Sequence, residues 1–428
     1  MSEHRVRMTV FDKNFQRKGW IGNPISYSFT PRFNAQGTGS IMLKQGDPIL
    51  AHLLADGARI VCDYRGEHLM SGRQWGAEGG LLPADPVTVQ IRADWMSLGT
   101  LAFVDPAGNV GPSSLSDPAQ ATVTGAQTAG TVENQGGHFA WPDTITTREA
   151  AIKHLLAANL RDRLGIPLHV AADRGRGGTV SQLPQLRMGT LADAVGPLLT
   201  GGGLGLELSH LIDSDRLSLD VWEPRTYARK LTARSGIVRG GRWRLSPPDA
   251  TRAVVAGPGE MAARAFLSIV DSTLEARYGV ILERSRDATN GTLEWGELAE
   301  SLQVAKYYLL RPEISAVDKA AFLRRLGDAG ADLLAETGPT SGLSMQLSET
   351  KNFHFGGADG VHLGDRLTVT AQGIDFTEPL TECTISLSKD GAFNVTPAVG
   401  QITDSPARNL ALAIAALASA QRRNLIGR

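Results

Sequence analysis

A histidine and aspartate cluster near residue 360 contains the residue types that could bind a metal ion. His354, Asp359, His362 and Asp365 lie close together in the sequence. Imidazole nitrogens and carboxylate oxygens bind zinc when they converge on the ion at about 2.0–2.2 Å. The same segment is rich in glycine, which is typical of an exposed turn whose polar side chains face water. The turn is the better interpretation, and we predict no metal site.

Three glutamates could supply paired carboxylates for glycan cleavage, in which two acids flank the scissile bond. Glu294, Glu297 and Glu300 surround Trp295 in a stretch that resembles the start of an exposed helix, so a solvated face is the simpler interpretation. The sequence also lacks a phosphate-binding Gly-x-x-x-x-Gly-Lys-Ser/Thr loop, a Gly-x-Ser-x-Gly nucleophile elbow and a His-Glu-x-x-His pair. We therefore predict no catalytic residue, no cofactor and no enzymatic activity.

The composition is that of an ordinary globular protein, with 42% hydrophobic and 20% charged residues. A formal net charge of -1 provides no global basic field for nucleic acid, and the run 239–244 with its three arginines is equally typical of a turn between strands. Cys62 and Cys383 lie in alternating apolar stretches, so we expect neither a disulfide nor a zinc site. Without a signal-peptide core or a long apolar run, the sequence predicts synthesis in the cytoplasm and no membrane span.

Short runs in the first hundred residues alternate apolar and polar side chains. Val6–Val10, Ile25–Phe29, Ile60–Tyr64 and Val87–Ile91 all follow this period of two, which is typical of strands with one buried face. Glycine and proline turns separate the runs, and the 48 glycines of the chain agree with many turns. This spacing predicts a small β-barrel or sandwich.

The next two segments differ in composition. Residues 106–142 are rich in small and polar residues, and we expect an extended arm that reaches a neighbouring subunit or is simply flexible. A helix is predicted after Thr146, which forms a capping box with Glu149, and a second helix after Thr190. With the short strands beside them, these helices predict a compact α/β insertion.

The rest of the chain returns to β patterns, interrupted by a helix around residues 315–336 and followed by an Ala/Leu helix at the C-terminus. Leu410, Ile414 and Leu417 share one face of that last helix and are the candidates for an assembly interface, with packing onto the same chain as the alternative. The predicted fold class is mainly β with α/β insertions (α+β): two related small antiparallel β-barrels plus inserted α/β and helical segments. The predicted boundaries are 1–105 for the first barrel, 106–142 for the arm, 143–215 for the α/β insertion, 216–290 and 343–402 for the second barrel, 291–342 for a helical insertion and 403–428 for the C-terminal helix.

Two distant stretches share a local pattern. Gly57–Gly66 and Gly364–Gly373 each have glycine at the first and tenth positions, arginine at the third and an aliphatic residue at the fourth. Each pattern ends in a turn that starts another strand. A match this short could be coincidence, and a duplication would predict two related barrels.

Several motifs resemble those of minor tail proteins of siphophages that infect actinobacteria. Val10–Asn14 is followed by Asp56–Ile60, then by Leu217–Arg225 and by Val361–Val369, in an order and spacing that cover about residues 6–402. These proteins are similar to the baseplate-hub family of contractile tails. One departure is that Pro224 and Arg225 stand where the family has Asp-Arg, so the chemistry of that turn is expected to differ. The segment after residue 402 lies beyond the resemblance.

The resemblance implies a structural protein of the virion, located at the tail tip. Hub proteins have two related β-barrels with inserted α/β domains and form a trimeric ring around the DNA channel. The ring adapts the sixfold tail tube, through the distal tail ring, to a threefold central fibre or spike. The implied partners are further copies of the chain, the distal tail protein, the central fibre or spike, other minor tail proteins and the tape-measure protein, without sequence-specific nucleic-acid binding.

Three other functions are compatible with parts of the sequence. A hexameric distal tail protein is also β-rich, but it usually has one core barrel without inserted helices. A tail-associated protein that binds or hydrolyses peptidoglycan would need the catalytic carboxylates or the metal cluster discussed above. A carbohydrate-binding module would need an exposed aromatic platform, whereas the 7 tryptophans are spread along the chain.

Overall fold

The computed structural model describes residues 6–82, 84–102, 139, 141–142, 144–180, 183, 186, 189–232, 235–257, 265–288 and 316–400. The chain forms two compact units. Unit 1 comprises Met1–Trp243 and Gly342–Arg428, and unit 2 comprises Arg244–Ser341. No helix among the described residues is both long and apolar enough to cross a membrane.

One large sheet dominates the described part of the chain, with 13 strands. Its N-terminal strands are β1 (Arg7–Phe11), β2 (Arg17–Ile21), β3 (Ser26–Thr30), β4 (Thr38–Lys44), β5 (Arg59–Tyr64), β6 (Glu67–Gly79) and β7 (Pro86–Ala93). A short helix, α1 (Leu50–Leu53), lies between β4 and β5 in the chain. Its later strands are β11 (Leu231–Thr232), β12 (Val238–Ser246), β16 (Thr340–Leu347), β17 (Arg366–Ala371), β18 (Ile374–Leu387) and β19 (Phe393–Val399). The order is β12-β16-β19-β18-β3-β4-β7-β6-β5-β1-β2, and β17 pairs with β18 and β11.

The prediction of two separate small barrels is not confirmed. The described strands follow one open path, and β18 joins the C-terminal strands to the N-terminal ones by pairing antiparallel with β3, with Ile385 opposite Phe29. Both parts of the chain also share one hydrophobic core, which contains Val10 and Phe29 as well as Phe376 and Ile385. The broader prediction of a mainly β protein is confirmed.

The two stretches with a shared sequence pattern have similar backbone φ values at the first glycine and at the turn. Gly57 and Gly364 have φ values of 75° and 85°. The turns Arg65-Gly66 and Gln372-Gly373 have φ values of 53° and 80° in the first and 52° and 77° in the second. Two consecutive positive φ values define the tight hairpin turn that matches the twist of strands. Each turn leads into an unusually long strand, β6 with 13 residues and β18 with 14.

The α/β insertion packs helices against a three-stranded sheet with the order β8-β10-β9. Its elements are α2 (Arg148–Leu156), continued by a π-helix (Ala157–Arg163), β8 (Leu168–Val170), α3 (Leu191–Gly202), β9 (Gly205–His210) and β10 (Leu217–Trp222). The helix α2 begins one residue later than predicted, because Thr147 rather than Thr146 accepts the capping hydrogen bond, from the Ala150 amide at 3.2 Å. Thr190 caps α3 as predicted, accepting from the Asp193 amide at 3.1 Å.

The boundary predicted at residues 215 and 216 does not match the strand pairing. β10 pairs with β8 and β9 instead of joining a second barrel. The reason is that Leu217, Leu219 and Val221 are buried in the same core as the helices of the insertion. Residues 216–290 are therefore divided among the α/β insertion, the large sheet and unit 2.

Unit 2 contains a three-stranded sheet and two helices in its described part. The strands β13 (Arg252–Ala256), β14 (Phe266–Val270) and β15 (Glu283–Asp287) have the order β14-β13-β15. The helices are α4 (Ser272–Tyr278) and α5 (Ala316–Thr337), the latter close to the predicted helix. Gly330 allows α5 to lie close to the sheet, because a Cβ atom there would be 2.2 Å from Ile269 Cδ1.

Candidate functional site

A cavity of about 650 Å³ lies in unit 1 between the large sheet and the α/β insertion. Its volume is within the range of about 300–1,000 Å³ that is usual for ligand pockets. The wall combines apolar side chains, including Leu69, Leu208 and Phe355, with charged ones such as Arg225 and Glu223. The cavity is therefore a mixed site, able to contact both apolar and polar groups.

Four ionisable side chains form a polar cluster at this cavity. His362 Nε2 lies 2.9 Å from Glu67 Oε2, and the His362 amide donates to Asp365 Oδ2 at 2.9 Å. Arg225 Nη2 lies 2.6 Å from His362 Nδ1 and 3.2 Å from Asp365 Oδ2. The Gly357 amide also donates to Glu67 Oε2, at 2.8 Å. The cluster thus joins the β5–β6 hairpin, the segment after β10 and the loop before β17.

The arrangement determines where the ring proton of His362 lies. A guanidinium group can only donate hydrogen bonds, so His362 Nδ1 accepts from Arg225 and the proton is on Nε2, directed at Glu67. Asp365, together with Glu67, raises the pKa of His362, and Arg225 opposes this. Burial alone would raise the pKa of Glu67, but hydrogen bonds from His362 and Gly357 lower it.

The polar cluster supports a structural role better than a catalytic one. Both ring nitrogens of His362 have partners within the chain, so a metal ion or a substrate would first have to displace Arg225 or Glu67. The described residues contain no group of three or more His, Cys, Asp or Glu side chains that could hold a metal ion. His362 and Asp365, both singled out in the sequence, come together as part of the cluster, and His354 and Asp359 are not among its contacts.

A tryptophan lies at the junction of the α/β insertion and the loop before β17. The ring of Trp222 meets that of Phe33 edge to face, with the centroids 5.8 Å apart. Both Gly205 and Gly364 lie against it, since a Cβ atom would be 2.5 Å from Trp222 Cε2 at Gly205 and 2.8 Å from Cη2 at Gly364. These glycines are therefore needed for close packing of the cavity wall.

A second, fully buried polar network connects the large sheet to the α/β insertion. Arg59 Nη2 donates to Asp94 Oδ1 at 2.6 Å, and the Ser71 hydroxyl donates to Asp94 Oδ2 at 2.6 Å. The amide of His210 in β9 then donates to the Ser71 hydroxyl oxygen, also at 2.6 Å. The guanidinium of Arg59 lies over the ring of Phe15, 4.7 Å from its centroid. This network fixes β9 beside β6.

The turn between β6 and β7 exposes two consecutive leucines. The exposed fraction is 97% for Leu81 and 66% for Leu82. Asp85 holds the turn, because its carboxylate accepts from the Leu82 amide at 3.0 Å and its own amide donates to the Leu82 carbonyl at 2.9 Å. Exposed leucines on an ordered turn are typical of a protein contact site.

Most of the other candidates from the sequence lie outside the described residues. They are Leu410, Ile414 and Leu417, the glutamates Glu294, Glu297 and Glu300, and nearly all of the arm 106–142. The basic run at residues 239–244 lies on the exposed strand β12, where Arg239 donates to the Ser348 hydroxyl. Both Cys62 and Cys383 are buried and unpaired, as expected for small apolar residues, and burial raises the pKa of each thiol.

Sequence reasoning did not find two members of the polar cluster or the exposed turn. Glu67 and Arg225 are far from His362 in the chain, and no local pattern connects them. The turn did carry a signal, since the paired leucines Leu81 and Leu82 follow Gly79-Gly80 and precede Pro83. Apolar residues at such a turn have no core to enter, which indicates a contact outside the chain.

The fold is one that occurs in phage tail proteins. The prophage tail protein gp18 from Listeria monocytogenes EGD-e matches with a TM-score of 0.50 and 9% identity, over 96% of this chain and 99% of that one. The prophage MuSo2 43 kDa tail protein from Shewanella oneidensis matches with a TM-score of 0.46 and 12% identity, over 92% and 97%. A search of curated proteins found no match.

The sequence defines the family. Residues 134–401, more than half of the chain, match the family model of Siphovirus ReqiPepy6 Gp37-like proteins. The chain therefore belongs to this family of siphophage tail proteins, and the resemblance to minor tail proteins is confirmed at this level.

Proposed function

We propose that the chain is the hub of the tail tip, a structural protein of the virion that forms a trimeric ring around the DNA channel. In this role it adapts the sixfold tail tube and distal tail ring to a threefold central fibre or spike. The observation that carries the proposal is the pair of hairpins with the same turn, β5–β6 and β17–β18, within one chain. Three copies would present six similar hairpins, the number that a sixfold partner requires.

The similarity of the two hairpins extends to their packing. Ile60 in β5 and Leu367 in β17 occupy the same position of the pattern, and both are fully buried. Cys62 and Val369 also correspond and are buried. Arg59 and Arg366 correspond in sequence but differ in environment, because Arg59 is buried and Arg366 is exposed. The hairpins thus share their turn and two buried positions, while β5–β6 alone has a β-bulge, between Cys62 and Asp63, and the environments of the two arginines differ.

The proposed partners are further copies of the chain, the distal tail ring, the central fibre or spike, other minor tail proteins and the tape-measure protein. We expect no enzymatic activity, since the polar cluster uses both ring nitrogens of His362 for contacts within the chain. Synthesis would take place in the host cytoplasm before assembly. Purified protein should accordingly leave peptidoglycan intact.

Mass and symmetry test the proposal directly. Native mass spectrometry of the full chain, and class averages of purified tails by electron cryo-microscopy, should show a threefold ring at the tip. Closed rings built from heterologous contacts are a common form of homo-oligomer. A sixfold ring would instead identify a distal tail protein. Release of soluble cell-wall fragments by the purified chain would identify a peptidoglycan hydrolase.

A further inference from the structure

One end of β9 is attached to the large sheet through a buried histidine. His210, the last residue of β9, is fully buried, and its amide donates to the Ser71 hydroxyl in β6. We call this contact the β9 junction. At the other end of the strand, the Asn34 side chain bonds to the Leu204 carbonyl and the Leu206 amide. Of these two attachments, only the β9 junction includes a side chain that can gain a proton between about pH 5 and 8.

The hydrogen bonding of the His210 ring leaves one nitrogen without an acceptor. Nε2 lies 2.8 Å from the Ser214 carbonyl oxygen, which can only accept, so Nε2 carries the proton of the neutral ring. Nδ1 is buried and has no hydrogen-bond partner in the described part of the chain. The rings of Phe11 and Phe15 meet the imidazole edge to face, at centroid distances of 4.5 and 4.8 Å. A proton added to Nδ1 would therefore be buried between aromatic rings without an acceptor, which is unfavourable.

The charges around the ring also disfavour a proton on His210. Arg59 of β5, His68 of β6 and Asp94, which directly follows β7, lie close enough to interact with it. Both carboxylate oxygens of Asp94 already accept hydrogen bonds. Burial lowers the pKa of His210, and Arg59 and His68 lower it further. The hydrogen bond to Ser214 and the charge of Asp94 oppose this effect on the pKa without reversing it. The β9 junction therefore accommodates the neutral ring.

His68 differs from His210 because carboxylates can receive its charge. Its Nδ1 lies 4.0 Å from Asp63 Oδ1. Burial lowers the pKa of His68, and Glu207 and Asp63 oppose this. Other charged side chains near the junction are Arg73 of β6, Arg7 of β1, and the exposed Asp213 and Asp215 of the turn that follows β9. Protonation of His68 is thus partly compensated, whereas that of His210 is not.

From these contacts we infer that the β9 junction is an acid-sensitive switch, in which proton uptake by His210 breaks the bond to Ser71 and frees this end of the α/β insertion. Asn34 keeps the other end of β9 attached, because its amide group does not titrate. Ser71 and Ser209 line the cavity, so opening the junction widens the cavity at this end. This conformational response goes beyond the proposed function, and it does not require a ring.

The direction of the response follows from the preference for the neutral ring. Because the folded protein lowers the pKa of His210 below 6.5, the β9 junction is fully stable above that pH and weakens as the pH falls below it. His362 contributes in the opposite direction, since its pKa is raised. The stability of unit 1 as a whole combines both effects, so the switch is measured at His210 itself.

Hydrogen exchange at single residues tests the switch on the full-length chain. The amides of His210 and Leu206 form a matched pair, because one donates to Ser71 and the other to Asn34. Between about pH 7.5 and 5.5, after correction for intrinsic rates, exchange at His210 should accelerate severalfold, with a limit of about tenfold for one proton. Exchange at Leu206 should stay unchanged. Equal acceleration of both amides, or no acceleration at His210, would overturn the inference.

Two variants identify the residue that takes up the proton. His210→Gln keeps a donor for the Ser214 carbonyl but cannot gain a proton, so exchange at residue 210 should no longer respond to acid. His68→Gln should keep the wild-type response, and loss of the response in this variant would overturn the assignment to His210. If His210→Gln does not fold, nitrogen NMR of the wild-type imidazole decides. A ring that is charged only in the open form supports the switch, and a charged ring beside a protected His210 amide refutes it.

Discussion

At the scale of single residues, the buried pair of Arg59 and Asp94 belongs to the network that connects the large sheet to the α/β insertion through Ser71 and His210. Replacing Asp94 by Asn should destabilise the protein by about 3–5 kcal/mol, because the charge of Arg59 then stays buried without a counter-ion. The free energy of unfolding in urea measures this. Asp215→Asn is the control, since Asp215 pairs with Arg216 on the surface and its loss should leave stability nearly unchanged. Equal changes in the free energy of unfolding for Asp94→Asn and Asp215→Asn would show that the buried charge of Arg59 does not depend on Asp94.

The polar cluster predicts a stability that depends on pH. Because the folded protein raises the pKa of His362 above 6.5, its stabilisation is present below that pH and is lost as the pH rises. Because the pKa of Glu67 is lowered below 4.5, its contribution is present above that pH and is lost in acid. The cluster should therefore stabilise unit 1 most between about pH 4.5 and 6.5.

Thermal unfolding of wild type and His362→Gln measures this dependence. The difference in Tm between the two should be larger at about pH 5.5 than at about pH 8, because glutamine keeps a hydrogen-bonding group but cannot gain a proton. His52→Gln is the control, since His52 is exposed. If the difference in Tm between wild type and His362→Gln is the same at both pH values, His362 stabilises the protein without a contribution from its protonation.

At the scale of elements, the two hairpin turns depend on glycine. Gly373 has a φ of 77° and no atom within 4 Å of a Cβ position, so Gly373→Ala should destabilise only through the backbone, by about 1–2 kcal/mol. Gly66→Ala should cost a similar amount, since Gly66 has a φ of 80° and equally open surroundings. Gly46→Ala is the control, and all three variants are compared by urea unfolding. A Cβ atom at Gly46 would also have no neighbour within 4 Å, but Gly46 does not have a positive φ. Equal costs at all three positions would contradict the turn assignment.

The helices and strands also show which parts of the fold can be predicted from the sequence. Alternation correctly indicated strands such as β3 and β5, because one buried face imposes a period of two on the side chains. It could not determine that β18 pairs with β3, since strand neighbours distant in sequence leave no local pattern. The predicted boundary at residues 215 and 216 also separated β10 from β9, although these two strands are neighbours in the chain and pair antiparallel. Of the polar cluster, only His362 and Asp365 were found in advance, because they are neighbours in the chain.

At the scale of the whole molecule, unit 2 is an insertion in the chain. The chain leaves the large sheet, forms unit 2 and then returns to the same sheet. Unit 2 begins within β12, at Arg244, and ends within β16, at Ser341, and these two strands are neighbours in the large sheet. A short loop could therefore connect them. The α/β insertion differs, because residues outside it are hydrogen-bonded to its backbone. The Asn34 side chain donates to the Leu204 carbonyl and accepts from the Leu206 amide, and the Ser71 hydroxyl accepts from the His210 amide.

This difference predicts opposite outcomes for two deletions. Replacing residues 247–339 by a short Gly-rich loop should leave unit 1 folded, with one cooperative urea transition and a lower m-value, since less surface becomes exposed on unfolding. Replacing residues 144–222 in the same way should abolish that transition, because it leaves the polar groups of Asn34 and Ser71 without their partners and opens the core around Phe15 and Leu98. Cooperative unfolding after both deletions would show that the large sheet is stable alone. Loss of the transition in both would show instead that unit 2 contributes to the fold of unit 1 and is not an independent insertion.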